Sequence, residues 1–393
     1  MTIQESDARL SLLLEDIDLP ESAYEQAEKR YEDLAAWISR PDSALAPFDA
    51  HIFVQGSFAF GTAIRPLVEG EEYDLDFSCK LRKGISRESH TQKQLKNMLG
   101  TELASYRKAR NIIKPLTEKN RCWRLGYRDQ LPFHLDVVPG IRADAQRRRE
   151  LGVLMEARGI DPALAQEVAR RALWITDLNY ENYDQLSPIW PSSNPGGYQL
   201  WFASRMRSAD KKLLAEAQVD PVPVFRSKAP LQQVVQLLKR HRDAMFSEYP
   251  DCKPISIILT TIAGQAYQHG EGLSQTMQRV LTELEKVRLS DTDDILNPVN
   301  SKENFADRWQ REDCVHLQLK RNFHDWVKEA NRHFRLIMDG TDLQMLVDAV
   351  EDGLALNLTE ERKRRLSRLG VVSAVPTIRK VSIEPEPPRP WSA

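Results

Sequence analysis

Apolar positions recur at three-to-four spacing over residues 5–39: Leu10, Leu13 and Leu14, then Ala23, Ala27, Tyr31, Leu34, Ala35 and Ile38. That period predicts helix, broken at Pro20-Glu21-Ser22. From His51 the texture changes: Ile52-Phe53-Val54 runs into Gly56-Ser57, and residues 74–79 alternate polar with apolar, both signs of strand. Leu95, Met98, Leu99, Leu103 and Tyr106 predict a helix over 90–110. Two alternating segments, 122–127 and 133–138, flank Arg128-Asp129-Gln130-Leu131-Pro132 and predict an antiparallel hairpin. Residues 180–200, rich in Pro, Ser, Asn and Gly, predict a long irregular connection. Beyond Pro230, Leu231, Val234, Val235, Leu238 and Met245 form one helical stripe, and further helices are expected over 255–286, 317–337 and 341–355. There is no internal repeat. The pattern predicts an α+β chain: a helical segment (1–45), a mixed α/β lobe (46–225), an α-helical lobe (226–370) with a cleft between the lobes, and a flexible Pro-rich tail (371–393).

Composition narrows the setting. With 28% charged and 41% hydrophobic residues the 393-residue chain reads as an ordinary globular protein. Its net charge of −2 gives no basic field of the kind an obligate nucleic-acid binder carries. Cys79, Cys122, Cys252 and Cys314 show no CxxC or Cys/His ligand spacing, which argues for reduced thiols and against structural zinc. Residues 1–16 are polar and acidic, unlike a signal peptide. The longest apolar stretch, 255–264, is broken by Ser256, Thr260 and Thr261 and is too short for a bilayer. A cytoplasmic monomer without membrane association is expected.

The candidate chemistry sits in the strands. Side chains alternate along a strand, so Asp74 and Asp76 point the same way. Joined by Asp136 from a neighbouring strand, they make a carboxylate set that repels itself unless cations fill it. Magnesium takes carboxylate and phosphate oxygens together, the requirement of a two-metal phosphoryl-transfer site. Gly56-Ser57 follows an apolar strand and is expected to open a helix, where backbone N–H groups and the Ser57 hydroxyl suit phosphate. The bland reading of the three aspartates is a solvated, salt-bridged edge set; the flanking Leu75, Phe77, Leu135 and Val137 speak instead for strands packed on a core.

The run Gln55-Gly56-Ser57-Phe58-Ala59-Phe60-Gly61-Thr62-Ala63-Ile64-Arg65-Pro66 resembles the nucleotide-binding signature of the bacterial CD-NTases, the cGAS/DncV-like nucleotidyltransferases. Asp74-Leu75-Asp76 and His134-Leu135-Asp136-Val137 look like that family's metal-binding strands. The likeness continues through Trp190-Pro191-Ser192-Ser193-Asn194-Pro195, Leu238-Lys239-Arg240-His241-Arg242-Asp243, Pro254-Ile255-Ser256-Ile257 and Asn297-Pro298-Val299-Asn300, covering roughly residues 50–310. It implies a polymerase-β-like core with a mixed, mostly antiparallel sheet, an α-helical lobe, and an active site in the cleft between them. It also implies template-free synthesis of a cyclic oligonucleotide from triphosphates, with ATP and GTP as substrates and cyclic GMP–AMP as the product suggested by overall likeness. Such products act in anti-phage (CBASS) signalling, read by a separate effector. Some relatives are controlled by partner proteins or by conjugation of the C-terminus, for which the tail ending Trp391-Ser392-Ala393 is suited, if it is not a plain terminus.

By position the resemblance implies that Gln55, Gly56 and Ser57 contact the donor triphosphate and that Asp74, Asp76 and Asp136 hold two Mg2+ ions, with Mn2+ as a substitute. It implies that Phe60 stacks on a base, that Arg124 lines the pocket, and that Lys239 and Ser256 reach phosphates. Read as residues alone, Phe60 is equally a core aromatic, Lys239 a solvated lysine whose stem covers the core, Arg124 a partner of a structural carboxylate, and Ser256 a helix cap. Arg147-Arg148-Arg149 and Arg362-Lys363-Arg364-Arg365 read as solvated helix faces, and His134 as a strand residue without a role. Two other functions compete: a linear or RNA-tailing transferase, which should show a basic surface track, and a catalytically silent scaffold, against which the intact aspartates and Gly-Ser speak.

Overall fold

The computed structural model describes residues 2–68, 70–127, 133–206 and 227–369, so the 128–132 connection and the expected tail lie outside the described residues. Two helices open the chain, α1 (Ile3–Ile17) and α2 (Glu21–Ser39), parted at Pro20 as the pattern predicts. Next come β1 (Ala50–Gln55), α3 (Gly56–Phe60), β2 (Tyr73–Leu81), α4 (Gln92–Ala109), β3 (Thr117–Glu118), β4 (Trp123–Gly126) and β5 (Phe133–Arg142). The middle of the chain supplies α5 (Ala145–Glu156), α6 (Pro162–Arg170), β6 (Leu173–Ile175), β7 (Ser192–Ser193) and α7 (Pro195–Met206). Among the described residues from 227 to 369 the chain is mostly helical, with one ribbon: α8 (Pro230–Met245), α9 (Ser256–Ala266), α10 (Leu273–Leu289), β8 (Leu296–Asn297), β9 (Asn300–Asn304), α11 (Leu319–Asp339), α12 (Leu343–Leu354) and α13 (Glu360–Arg368).

The main sheet runs β1-β2-β5-β4-β3, with β6 beside β5 and β7 beside β6. Only β2 and β5 pair in parallel; the other neighbours are antiparallel, among them the predicted β4–β5 hairpin. The N-terminal helices divide their packing: α1 lies against α8, α10 and α11, whereas α2 lies against β1 and α4. The core is continuous through both regions, with Tyr31, Phe58, Phe77, Phe323 and Trp326 buried in it. Among the described residues no helix is long and apolar enough to cross a membrane.

Helix α8 carries a polar stripe inside this core. Gln232 Nε2 donates to the Phe60 carbonyl (2.8 Å), Gln236 Nε2 to Ala63 (2.7 Å) and Lys239 Nζ to Thr62 (2.9 Å). Arg240 Nη1 reaches the carbonyls of Arg65 (3.3 Å) and Pro66 (3.2 Å). A loop with this many buried carbonyls needs such donors, and they fasten residues 60–66 to the helical region.

Three expectations change. The irregular connection at 180–200 contains a helix start: Asn194 Oδ1 accepts from Gly197 N (3.0 Å) and Pro195 occupies the first turn, a capping arrangement that outweighs the Pro and Gly content. Met245 ends α8 40% exposed, off the buried stripe. One residue of each arginine run is tied down, whereas Arg149, Arg364 and Arg365 stay exposed as the solvated reading expects. Arg147 Nη2 donates to Ser192 Oγ and Asn300 Oδ1, each at 3.1 Å, and Arg362 pairs with Glu15 (2.6 Å) and Asp16 (2.9 Å), fixing α13 on α1.

Asn194 also donates from Nδ2 to the Val168 carbonyl (2.8 Å) and is buried. Asn194→Ala removes the cap and strands that carbonyl, so it should lower unfolding free energy by about 2 kcal/mol; a urea titration with an unchanged midpoint would contradict this.

Candidate active site

The parallel register of β2 and β5 sets Asp74 opposite His134 and Asp76 opposite Asp136. With the period of two along each strand, all four side chains share one face of the sheet. Their neighbours Leu75, Phe77, Leu135 and Val137 turn the other way and are 0–1% exposed. Both strands are interior to the sheet, so the aspartates are not an edge set.

Two of the acids have basic side chains beside them. Arg124, opposite Asp136 on β4, holds it in a fork, Nε to Oδ1 at 2.7 Å and Nη2 to Oδ2 at 2.6 Å. The partner of Arg124 is thus one of the three aspartates, not a separate structural carboxylate. Asp74 Oδ1 lies 2.9 Å from His134 Nε2, whose Nδ1 lies 3.2 Å from Glu72 Oε2. Glu72 pairs in turn with Lys114. Burial pushes the Asp74 carboxyl up, but His134 and then Arg124 hold it below the usual carboxylate range.

Asp76 has no such partner among the described residues. Burial, then the charges of Asp74 and Asp136, push its pKa up to about 8. Gly56 backs directly onto it: φ is +67°, and a Cβ there would lie 2.0 Å from Asp76 Oδ2. Only glycine takes that backbone conformation and leaves that space.

A cavity of about 580 Å³ opens over this face. Its sheet-side wall includes Gly56, Ser57, Asp74 and Asp76; Lys239, Arg242, Lys253 and Ser256 face them from the helical region. Lys239 is 7% exposed, so it is not the solvated lysine of the alternative reading. Its Nζ bonds only a carbonyl, and burial, then nearby Arg242, pull its pKa down to about 8. Ser256 starts α9 and its Oγ accepts from Arg242 Nη1 at 2.8 Å. Phe60 lines the cavity with one edge while packing 5.4 Å from Tyr198 and 5.5 Å from Phe202, so it belongs to the core as well as the wall. Gln55, Arg124 and Asp136 adjoin this wall without lining it; Gln55 Oε1 accepts from Ser78 Oγ at 2.8 Å.

Sequence reasoning passed over His134, Arg242 and Lys253. For His134 the signal was present: it stands two residues before Asp136, as Asp74 stands two before Asp76. Ligand atoms of Asp74, His134 and Asp136 lie within 4.8 Å of one another. Together with Asp76, a carboxyl that no cation of the described residues pairs with, this donor set fits a hard divalent cation.

The family description "Cyclic GMP-AMP synthase DncV-like, nucleotidyltransferase domain" matches residues 50–139, from β1 through Asp136. A c-di-GMP synthase of Roseivirga ehrenbergii is 30% identical over 307 residues, 76% of this chain and 72% of that protein. The cyclic dinucleotide synthase CdnG of Bradyrhizobium diazoefficiens is 24% identical over 345 residues, 81% of this chain and 73% of its own length. The structure of CdnG in complex with GTP superposes with a TM-score of 0.61 at 20% identity, over 93% of this chain and 98% of that one. Vibrio cholerae DncV in complex with the linear intermediate 5′ pppA(3′,5′)pG gives 0.55 at 13% identity, over 89% and 94%.

Asp76 keeps a proton in the folded state that it loses in the unfolded one between its ordinary 3.8 and about 8. The metal-free protein therefore loses stability as pH rises through that window. Asp76→Asn has no such proton, so its melting temperature in chelator should exceed that of the wild type by a margin that widens from pH 4 to pH 8. A margin independent of pH would contradict this.

Proposed function

Because the chain belongs to the bacterial CD-NTases, a family of nucleotidyltransferases, we propose that it converts two molecules of GTP into cyclic di-GMP, releasing pyrophosphate. The observation that carries this is the cavity itself, with Asp74 and Asp76 on one wall and Lys239, Arg242 and Lys253 on the other. That pairing complements a triphosphate and its divalent cations. The R. ehrenbergii relative supports GTP at both positions, in place of the cyclic GMP–AMP suggested by overall likeness. A second reading, cyclic GMP–AMP from GTP and ATP, is favoured by the description of the matched domain.

In this account Asp74, Asp76 and Asp136 would hold two divalent ions, Mg2+ or Mn2+, and the ions would supply positive charge for the attacking hydroxyl and the leaving pyrophosphate. The chain's own groups do the remainder. Lys239, whose Nζ donates to the Thr62 carbonyl, gains a phosphate partner, and Ser256 and Arg242 extend that contact. Gly56 and Ser57 bring backbone close to the donor phosphates, and Gln55 abuts them. Phe60 offers an apolar edge to a base. Asp136 accepts the proton of the attacking ribose hydroxyl, while Arg124 steadies it. The new bond forms to the α-phosphorus as the bond to the β-phosphate oxygen breaks; the linear dinucleotide then turns in the cavity and a second transfer closes the ring.

The product serves as a cytoplasmic second messenger in anti-phage defence, read by a separate effector, as family membership supports. Control through a partner or the C-terminus belongs to the same reading, and the tail concerned lies outside the described residues.

Purified protein incubated with GTP, with ATP or with both, plus Mg2+, then treated with phosphatase and analysed by mass spectrometry, separates these outcomes. GTP alone should yield cyclic di-GMP; a product only with both nucleotides selects the second reading, and linear products select a tailing enzyme. Asp74→Asn and Asp76→Asn should each reduce turnover about a thousandfold or more with the fold retained. Appreciable turnover in either would remove the metal assignment, and no pyrophosphate from any triphosphate would leave a scaffold.

A further inference from the structure

We propose that His134 is a nitrogen ligand of the divalent-metal site, and that it biases this enzyme toward Mn2+ over Mg2+. The proposal rests on the reading of Asp74, Asp76 and Asp136 as metal ligands. The parallel register places His134 directly beside Asp74 and, along its own strand, on the face of Asp136. Its Nε2 is 2.9 Å from Asp74 Oδ1. Two donors each about 2.1 Å from one octahedral ion, at right angles, are about 3 Å apart, so this pair already has the spacing of adjacent ligands. Asp136 brings a third donor atom within 4.8 Å of both.

The other side of the ring supports the same role. His134 Nδ1 lies 3.2 Å from Glu72 Oε2, and Glu72 is itself held by Lys114. A carboxylate behind the ring is how metal-ligating histidines are oriented: it retains the Nδ1 proton and leaves the Nε2 lone pair for the ion. Tyr73 packs at a tilt on Phe133 (ring centroids 5.1 Å apart) and supports the adjoining backbone of both strands from the opposite face. A site made only of carboxylates suits Mg2+, whereas an imidazole donor raises affinity along the series beginning with Mn2+. The alternative role for His134 is purely electrostatic, an ion-pair neighbour that steadies Asp74 without touching the metal.

Pulsed electron paramagnetic resonance on the wild-type protein with Mn2+ and a GTP analogue uncleavable between the α- and β-phosphates distinguishes the two. Directly bonded nitrogen should give a 14N modulation, absent in His134→Gln. Calorimetric titration should show His134→Gln weakening Mn2+ about tenfold with Mg2+ affinity nearly unchanged. Glu72→Gln should weaken Mn2+ less while keeping the modulation. Mn2+ bound in an Asp76-dependent way without 14N modulation, or equal losses for both metals, would overturn the role of His134 alone. Mn2+ binding indifferent to Asp76→Asn would overturn the metal site with it.

Discussion

Parallel, in-register pairing of β2 with β5 puts two acidic pairs side by side, and the rest of the site follows from containing that charge. Asp76 sits between Asp74 and Asp136 with no cation of its own among the described residues, and its pKa rises to about 8 in consequence. Each neighbour has a basic partner in the protein, Asp136 the Arg124 fork and Asp74 the His134 ring. The apolar residues between the acids hold the strands together against this repulsion, because Leu75, Phe77, Leu135 and Val137 are all buried on the opposite face. Gly56 is fixed by the same crowding, since any side chain there would strike Asp76.

Helix α8 links this charged face to the cavity's other wall. Its Gln232, Gln236, Lys239 and Arg240 hold the backbone that follows Gly56-Ser57. The same helix aims Lys239 and Arg242 into the cavity. The glycine-serine turn and the cationic wall are therefore one construction: displacement of α8 would move both. The N-terminal α1, packed on α8, α10 and α11, shows that the first segment of the chain helps to position that helix.

Features that depend on local periodicity were legible in the sequence. The alternation around Asp74-Leu75-Asp76 and Leu135-Asp136-Val137 gave the shared face, and the flanking apolar residues gave its burial. The hairpin of β4 and β5 followed from the same alternation. What depends on partner choice was not legible. Nothing local tells that β2 pairs in parallel with β5, so His134 looked idle until the register set it against Asp74. A solvated Lys239 stayed open as the alternative to a phosphate contact because its helix shows an apolar stripe; its burial comes from the 60–66 loop, which lies far away in sequence. Arg147 and Arg362 read as solvated for the same reason, their partners Asn300 and Glu15 being remote in sequence. The start of α7 was locally encoded by Asn194-Pro195, but the density of Pro and Gly around it argued for a loop.

Anomalous diffraction from crystals grown with Mn2+ and an uncleavable GTP analogue tests the central claim most directly. The account predicts two anomalous peaks in the cavity, both within bonding distance of Asp76, one shared with Asp136 and the other with the triphosphate, whose phosphates approach Lys239. A triphosphate bound away from Asp76, or metal peaks absent from the carboxylate face, would contradict it.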